Sequence, residues 1–234
     1  MPINPKDLSK ESLEINSNLK LFQIYKNLKR ESLKCDTYFQ VYEEMFNKYV
    51  GKKITFVEVG VLQGGSLFMW REYFGKDARI IGIDLHPNAK ELEKHGFEIY
   101  IGSQSDKNFW RNFYTKVGKI DILLDDGGHV NDQQIVTLSE SVNNINDGGI
   151  IIFDTSELHT NTKELLDKDK NFIPVHFNGF QPRNVSTTTT SCYIHRNFNR
   201  PMKKLQPLGG TINGITSSVD KPRLDIQRNV RDVK

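Results

Sequence analysis

Scarcities in the chain exclude several classes at once. Only two cysteines, Cys35 and Cys192, occur in 234 residues, too few for a disulfide framework or a cysteine-built zinc site. No uninterrupted apolar stretch approaches the roughly 20 residues that cross a bilayer as a helix, so no membrane span is expected. The opening MPINPKDLSKESLEINSN has no apolar run behind a basic start, so no signal peptide is expected there and a reducing cytoplasmic location is. There is no GKS or GKT after a glycine turn, which removes a P-loop. Net charge is small and unevenly distributed. Residues 200–234 hold eight Lys/Arg against three Asp, a net of +5, leaving −2 for the remainder of a chain whose total is +3. Nothing in that tail interleaves aromatics with basic residues as a nucleic-acid platform would, so it reads as a solvated segment or a lid and no nucleic-acid partner is expected.

The chain does contain enough material for one sizeable core. Hydrophobic residues make up 37%, with 14 Phe, 8 Tyr and 2 Trp, which rules out global disorder. The length suits one domain with decoration rather than two full domains. Leu21, Ile24, Tyr25 and Leu28 recur at helical spacing, and Tyr38, Val41, Tyr42, Met45, Phe46 and Tyr49 continue it for three turns to Gly51. The period then changes. Ile54–Val59 is a short β-branched run ending at Gly60, as a buried parallel strand would. Further strands are expected at Arg79–Asp84, Phe97–Ile101, Ile120–Leu124 and Gly149–Phe153. Between them lie amphipathic helices: Ser66–Phe74, one carrying Phe109, Trp110, Phe113 and Val117, and one carrying Ile135, Leu138, Val142 and Ile145. Weaker signals put strands at Phe172–Phe177 and Ser186–Ile194. The expected fold is α/β: a doubly wound, mostly parallel, Rossmann-like sheet of seven strands with an antiparallel C-terminal edge hairpin and N-terminal helices. Residues 1–53 read as a helical cap, 54–196 as the core and 197–234 as an irregular basic tail.

In such a sheet, ligands bind in the crevice beyond the carboxyl ends of the strands. Those ends read Glu58-Val59-Gly60, Asp84, Gly102-Ser103-Gln104, Asp125-Asp126-Gly127-Gly128-His129 and Asp154. Turn chemistry accounts for the glycines, but it does not call for acidic ends at adjacent strands plus a histidine. The first turn is G-x-x-x-G-G over Gly60, Gly64 and Gly65, with Leu62 where a dinucleotide fingerprint has its second glycine, so a nicotinamide or flavin dinucleotide is disfavoured. Asp84 lies 24 residues beyond Gly60 and can accept hydrogen bonds from ribose hydroxyls; alternatively it caps the turn before Pro87.

Taken in order, EVGVLQGGSLFMW (58–70), IGIDLHP (81–87), GSQSD (102–106) and DDGGH (125–129), preceded by Tyr42-Glu43, resemble a class I S-adenosylmethionine-dependent methyltransferase. The set is most similar to the macrocin/mycinamicin-type sugar O-methyltransferases and their cephalosporin-hydroxylase-like relatives, over about Tyr38 to Asp154. The resemblance implies that Gly60, Gly64 and Gly65 flank the methionine part of the cofactor, that Asp84 binds the ribose, and that Ser103 and Gln104 lie by the adenine. Glu58, Ser66 and Asp125 complete the expected cofactor-binding set. It also implies a Mg²⁺ held by Asp126 and Asp154, with His129 and Asp126 as the catalytic pair. One expected ligand position departs from the family, because the fifth strand ends Phe153-Asp154. Methyl transfer to a hydroxyl demands alignment and removal of a proton, for which an imidazole or a metal ion is suited. The expected activity is O-methylation of a small polar acceptor, a sugar or sugar nucleotide. The alternatives are transfer to an already ionised phosphate-type or carboxylate oxygen, and a non-catalytic binding subunit. The apolar N-terminal helices leave a homo-oligomer open.

Overall fold

A computed structural model describes residues 2–153, 172–178 and 189–195 of the chain. Asp154 and the tail from 197 to 234 lie outside the described residues. The N-terminal part begins with strand β1 (Pro2–Ile3), helices α1 (Lys10–Ile15) and α2 (Lys20–Lys26), strand β2 (Lys34–Cys35) and helix α3 (Tyr38–Phe46). The sheet elements follow: β3 (Thr55–Val59), α4 (Gly65–Phe74), β4 (Arg79–Asp84), β5 (Glu98–Ile101), α5 (Lys107–Val117), β6 (Ile120–Asp125), α6 (Asn131–Ser141) and β7 (Ile145–Phe153).

Five strands of the sheet run parallel in the order β5-β4-β3-β6-β7. The order reverses between β3 and β6, where Val59 pairs with Asp125, and that reversal opens a crevice at the carboxyl edge. Because the strands are covered on both faces, their runs are mostly apolar: Ile80, Ile81, Ile83, Ile122, Leu123, Leu124 and Ile150–Ile152 are all buried. One face is covered by α4 together with α2 and α3. Tyr42, Phe46, Phe56, Trp70 and Phe74 pack with ring centroids 5.1–6.1 Å apart in the pairs that link α3, β3 and α4. The other face is covered by α5 and α6 through Trp110, Phe113, Tyr114 and Leu138. Each such ring removed from water contributes on the order of 1.5–3 kcal/mol, so the N-terminal helices are part of the core and help hold the sheet.

Several boundaries differ from the sequence expectation. Strand β7 begins at Ile145, not Gly149, since Ile145 pairs with Ile120, and the Asn146 side chain donates from Nδ2 to Asp121 Oδ1 at 2.9 Å. Helix α6 correspondingly stops at Ser141, Val142 lies in a 3₁₀ turn, and Ile145 faces the sheet as a strand residue. Helix α2 ends at Lys26, leaving Leu28 outside it. A 3₁₀ segment over Pro87–His95 joins β4 to β5, started by Pro87 behind the His86 cap. Among the described residues no helix is long and apolar enough to cross a membrane.

Candidate active site

A cavity of about 770 Å³ opens at the carboxyl edge of β3, β4, β5 and β6. Such a volume suits a nucleoside-sized ligand. Its walls are apolar at Ile83, Leu85, Ala89 and Leu92 and polar at Asp84, Ser103 and Asp126. Gly60, Gly65, Ser66 and Gln104 also line it, whereas Gly64 adjoins the turn without lining the cavity.

The glycine turn is shaped by protein neighbours as well as by room for a ligand. Gly60 has φ +81°, and a Cβ there would stand 2.3 Å from the Asp126 carbonyl oxygen. Gly65 opens α4, and a Cβ on it would stand 2.1 Å from the Glu31 carbonyl oxygen. Glycine at these two positions therefore lets the loop after β6 and the segment before β2 close over the end of β3. Asp84 secures the same turn. Its Oδ2 accepts from the Val61 and Leu62 amides at 2.9 and 3.2 Å, and its Oδ1 accepts from the His86 amide at 2.8 Å. About one of the carboxylate's four acceptor positions remains for a ligand hydroxyl, so Asp84 faces the cavity and holds the turn at once.

Three residues of the expected cofactor set turn out to be engaged by the protein. Gln104 Nε2 donates to both Asp125 oxygens at 3.1 and 3.0 Å and to Thr137 Oγ1 at 3.2 Å, while its Oε1 accepts from the Gly128 amide at 3.0 Å. Its polar end thus braces the loop after β6, while the residue also lines the cavity. Asp125 is buried and lies behind the cavity wall, not in it. Burial raises its pKa from the ordinary carboxyl value, against the opposing hydrogen bonds from the Gly127 amide and Gln104. Glu58 is fully buried; its Oε2 accepts from Ser66 Oγ at 2.6 Å.

The other Glu58 oxygen leads to a residue that the sequence reading missed. Lys34 on β2 donates from Nζ to Glu58 Oε1 at 2.9 Å and to Asp126 Oδ2. Lys34 is itself buried, at 2% exposure. Its segment is pinned by the pairing of Ile3 with Lys34 and by the Tyr25 hydroxyl, which lies 2.8 Å from the Ser32 carbonyl oxygen. Nothing local marks this lysine. The available signal was Glu58 itself, because a carboxylate inside a doubly covered strand requires a buried cation or donors nearby.

Of the expected catalytic pair, Asp126 lines the cavity, whereas His129 lies beside Asp126 without lining it. His129 Nε2 lies 3.7 Å from Asp126 Oδ1, an ionic distance rather than a direct hydrogen bond. The imidazole is about half exposed, and its backbone holds φ +54°, an uncommon value for a residue with a side chain. Such a conformation held next to a cavity is typical of functional loops. The donor set for Mg²⁺ is poorer than the resemblance implies. Asp126 Oδ2 is taken by an ammonium, Phe153 at the end of β7 is a fully buried ring, and Asp154 falls outside the described residues. Among the described residues no group of three or more His, Cys, Asp or Glu is placed to hold a metal ion.

Residues 57–156 match the family model described as a methyltransferase domain. With the strand order and the cavity above, this segment is similar to a class I methyltransferase domain. The chain is similar to the 8-demethyl-8-alpha-L-rhamnosyl tetracenomycin-C 2'-O-methyltransferase of Streptomyces olivaceus, at 30% identity over 123 residues, 50% of this chain and 32% of that protein. It is also similar to the mycinamicin VI 2''-O-methyltransferase of Micromonospora griseorubida, at 25% identity over 48% of this chain and 30% of that protein. The chain thus spans about a third of the length of these curated relatives. A methyltransferase from the mycinamycin biosynthetic pathway, solved with Mg, SAH and mycinamycin VI, shares the fold. Its TM-score is 0.55 at 17% identity, over 84% of this chain and 66% of that one.

Proposed function

We propose that the protein is an S-adenosylmethionine-dependent O-methyltransferase acting on a hydroxyl of a small polar acceptor, a sugar or sugar nucleotide. The observation that carries this reading is the open cavity at the strand-order reversal, lined by Asp84 and Asp126, with His129 just outside the lining and 3.7 Å from Asp126. A carboxylate with a spare acceptor position beside apolar walls fits a ribose and a base, so the residues present suit the cofactor. Asp84 would hold a ribose hydroxyl, Gly60, Gly65 and Ser66 would adjoin the methionine part, and Ser103 would lie toward the base. When bound, S-adenosylmethionine supplies an electrophilic methyl group.

The remaining work falls to the chain's own side chains. An alcohol is too weak an acid to ionise unaided near neutral pH. His129 Nε2 accepts its proton, and Asp126 Oδ1, 3.7 Å away, stabilises the imidazolium that results. Lys34 fixes the other Asp126 oxygen, which keeps Oδ1 directed at the histidine. No step is assigned to Mg²⁺. The sugar acceptor is supported by the relatives, two of which are named for methylating an oxygen of a rhamnosyl tetracenomycin and of mycinamicin VI. A sheet extended to seven strands by an antiparallel edge hairpin belongs to the same reading. It is supported by the backbone pairing of 172–178 with 189–195 and of the latter with β7.

Incubation with methyl-labelled S-adenosylmethionine and a panel of sugars and sugar nucleotides tests the proposal. A base-stable methyl ether on one acceptor class is expected. A base-labile ester would move the assignment to a carboxylate acceptor, and label transfer to none of them would contradict the sugar reading.

A further inference from the structure

The buried lysine between two carboxylates has a consequence for the metal that the resemblance implies. We propose that the Lys34 ammonium is the resident cation of this site, neutralising Asp126 in the place of a divalent ion. The inference rests on the ion-pair geometry and holds whether or not methyl transfer is the activity.

Glu58 is fully buried and Asp126 is largely so, at 0% and 20% side-chain exposure. Two carboxylates facing one point in such surroundings need a compensating positive charge. Lys34 supplies it as a compact charge with three donors, enough to serve Glu58 Oε1 and Asp126 Oδ2 together. A magnesium ion would want about six oxygens in octahedral array. Among the described residues, three of the four carboxylate oxygens near this point are already committed, Glu58 Oε2 to Ser66 and two to Lys34, which leaves only Asp126 Oδ1, 3.7 Å from His129 Nε2. On the far side, the residue that pairs with Asp125 across the sheet is Phe153, which offers a ring and no oxygen donor in its side chain.

The lysine is also placed by the fold and does not simply reach in from solvent. Its backbone is part of the β1–β2 ladder, and the carbonyl of Glu31 sits directly against Gly65 at the start of α4. Lys34 is thus a positioning residue. It sets the orientation of Asp126 and ties the N-terminal segment to the ends of β3 and β6. With a fixed organic cation there, no metal-bound water is available, and removal of the acceptor proton depends on His129.

Manganese titration followed by electron paramagnetic resonance tests this on the full chain, using wild type, Lys34→Met, Lys34→Arg and Asp126→Asn. Wild type and Lys34→Arg are expected to hold no Mn²⁺ that Asp126→Asn abolishes. Lys34→Met is expected to gain one Mn²⁺ site, at least roughly tenfold tighter than any wild-type binding because two unpaired carboxylates now face each other. The gain should vanish when Asp126→Asn is added. A wild-type Mn²⁺ site that disappears in Asp126→Asn would overturn the proposal, as would a folded Lys34→Met blind to Mn²⁺. Should Lys34→Met fail to fold, wild type against Asp126→Asn still decides: equal blindness to Mn²⁺ supports the proposal, and a difference overturns it. S-adenosylhomocysteine binding, measured calorimetrically on the same samples, reports separately on the methyltransferase reading.

Discussion

Two regions meet at the cavity and were built by different rules. The strand ends at Gly60, Asp84 and Asp126 are local: each follows a β-branched run and is placed by the ladder of that run. The segment from Arg30 to Lys34 arrives from outside the sheet. It is held by the pairing of Lys34 with Ile3 of β1, by Tyr25 and by close contact with Gly65. The first region presents polar groups to a ligand. The second neutralises the carboxylates that the first leaves buried. A site of this kind therefore depends on a long-range contact, between Lys34 and Asp126 at 92 positions apart, that no local pattern specifies.

Substitutions can separate the two regions, and the largest effect is expected at their junction. Lys34→Met leaves Glu58 and Asp126 without their cation and should cost about 3–5 kcal/mol, read as a lower midpoint in denaturant unfolding. Stability equal to wild type would mean that the segment is not bound to the sheet by charge. His129→Ala touches only the strand-end side. Turnover should fall about a hundredfold or more with cofactor affinity unchanged. Near-normal turnover would point to an acceptor that is already ionised. Gly65→Ala pushes a methyl group against the Glu31 carbonyl and should cost roughly 1–3 kcal/mol. Hydrogen exchange should then speed up over 31–35 while β4 stays protected. The smallest effect is expected at Asp125. Its folded-state pKa is raised by burial, so wild-type stability should decline as pH rises from the ordinary carboxyl value through the raised one. Asp125→Asn should flatten that part of the profile, and an unchanged slope would show that another group is responsible.

The contrast also explains what the sequence disclosed. Arg79–Asp84 was legible to the residue, because an apolar run bounded by charge leaves a buried parallel strand few alternatives. The early start of β7 was hidden: Asn146-Asp147-Gly148 looks like a turn, and it lies in a register shift between the Ile120–Ile145 and Ile122–Ile150 pairs, so only the pairing of Ile145 with β6 extends the strand back. Asp84 and Asp126 could be placed on the cavity because each stands at or just after the end of a visible strand, whereas His129, three residues further on, falls outside the lining. Gln104 and Asp125 were placed in the right loops, but their side chains bond one another, a contact between β6 and the loop after β5 that spacing does not encode. Lys34 was invisible, a single lysine between Leu33 and Cys35 whose meaning comes entirely from what it touches.

Calorimetric titration of the full chain with S-adenosylmethionine, beside Asp84→Ala, probes the cavity most directly. The account predicts one-to-one binding by wild type and a loss of about tenfold or more in Asp84→Ala, the scale of one hydrogen bond to a charged group. No heat from wild type at millimolar ligand, or equal affinity in a folded Asp84→Ala, would contradict it.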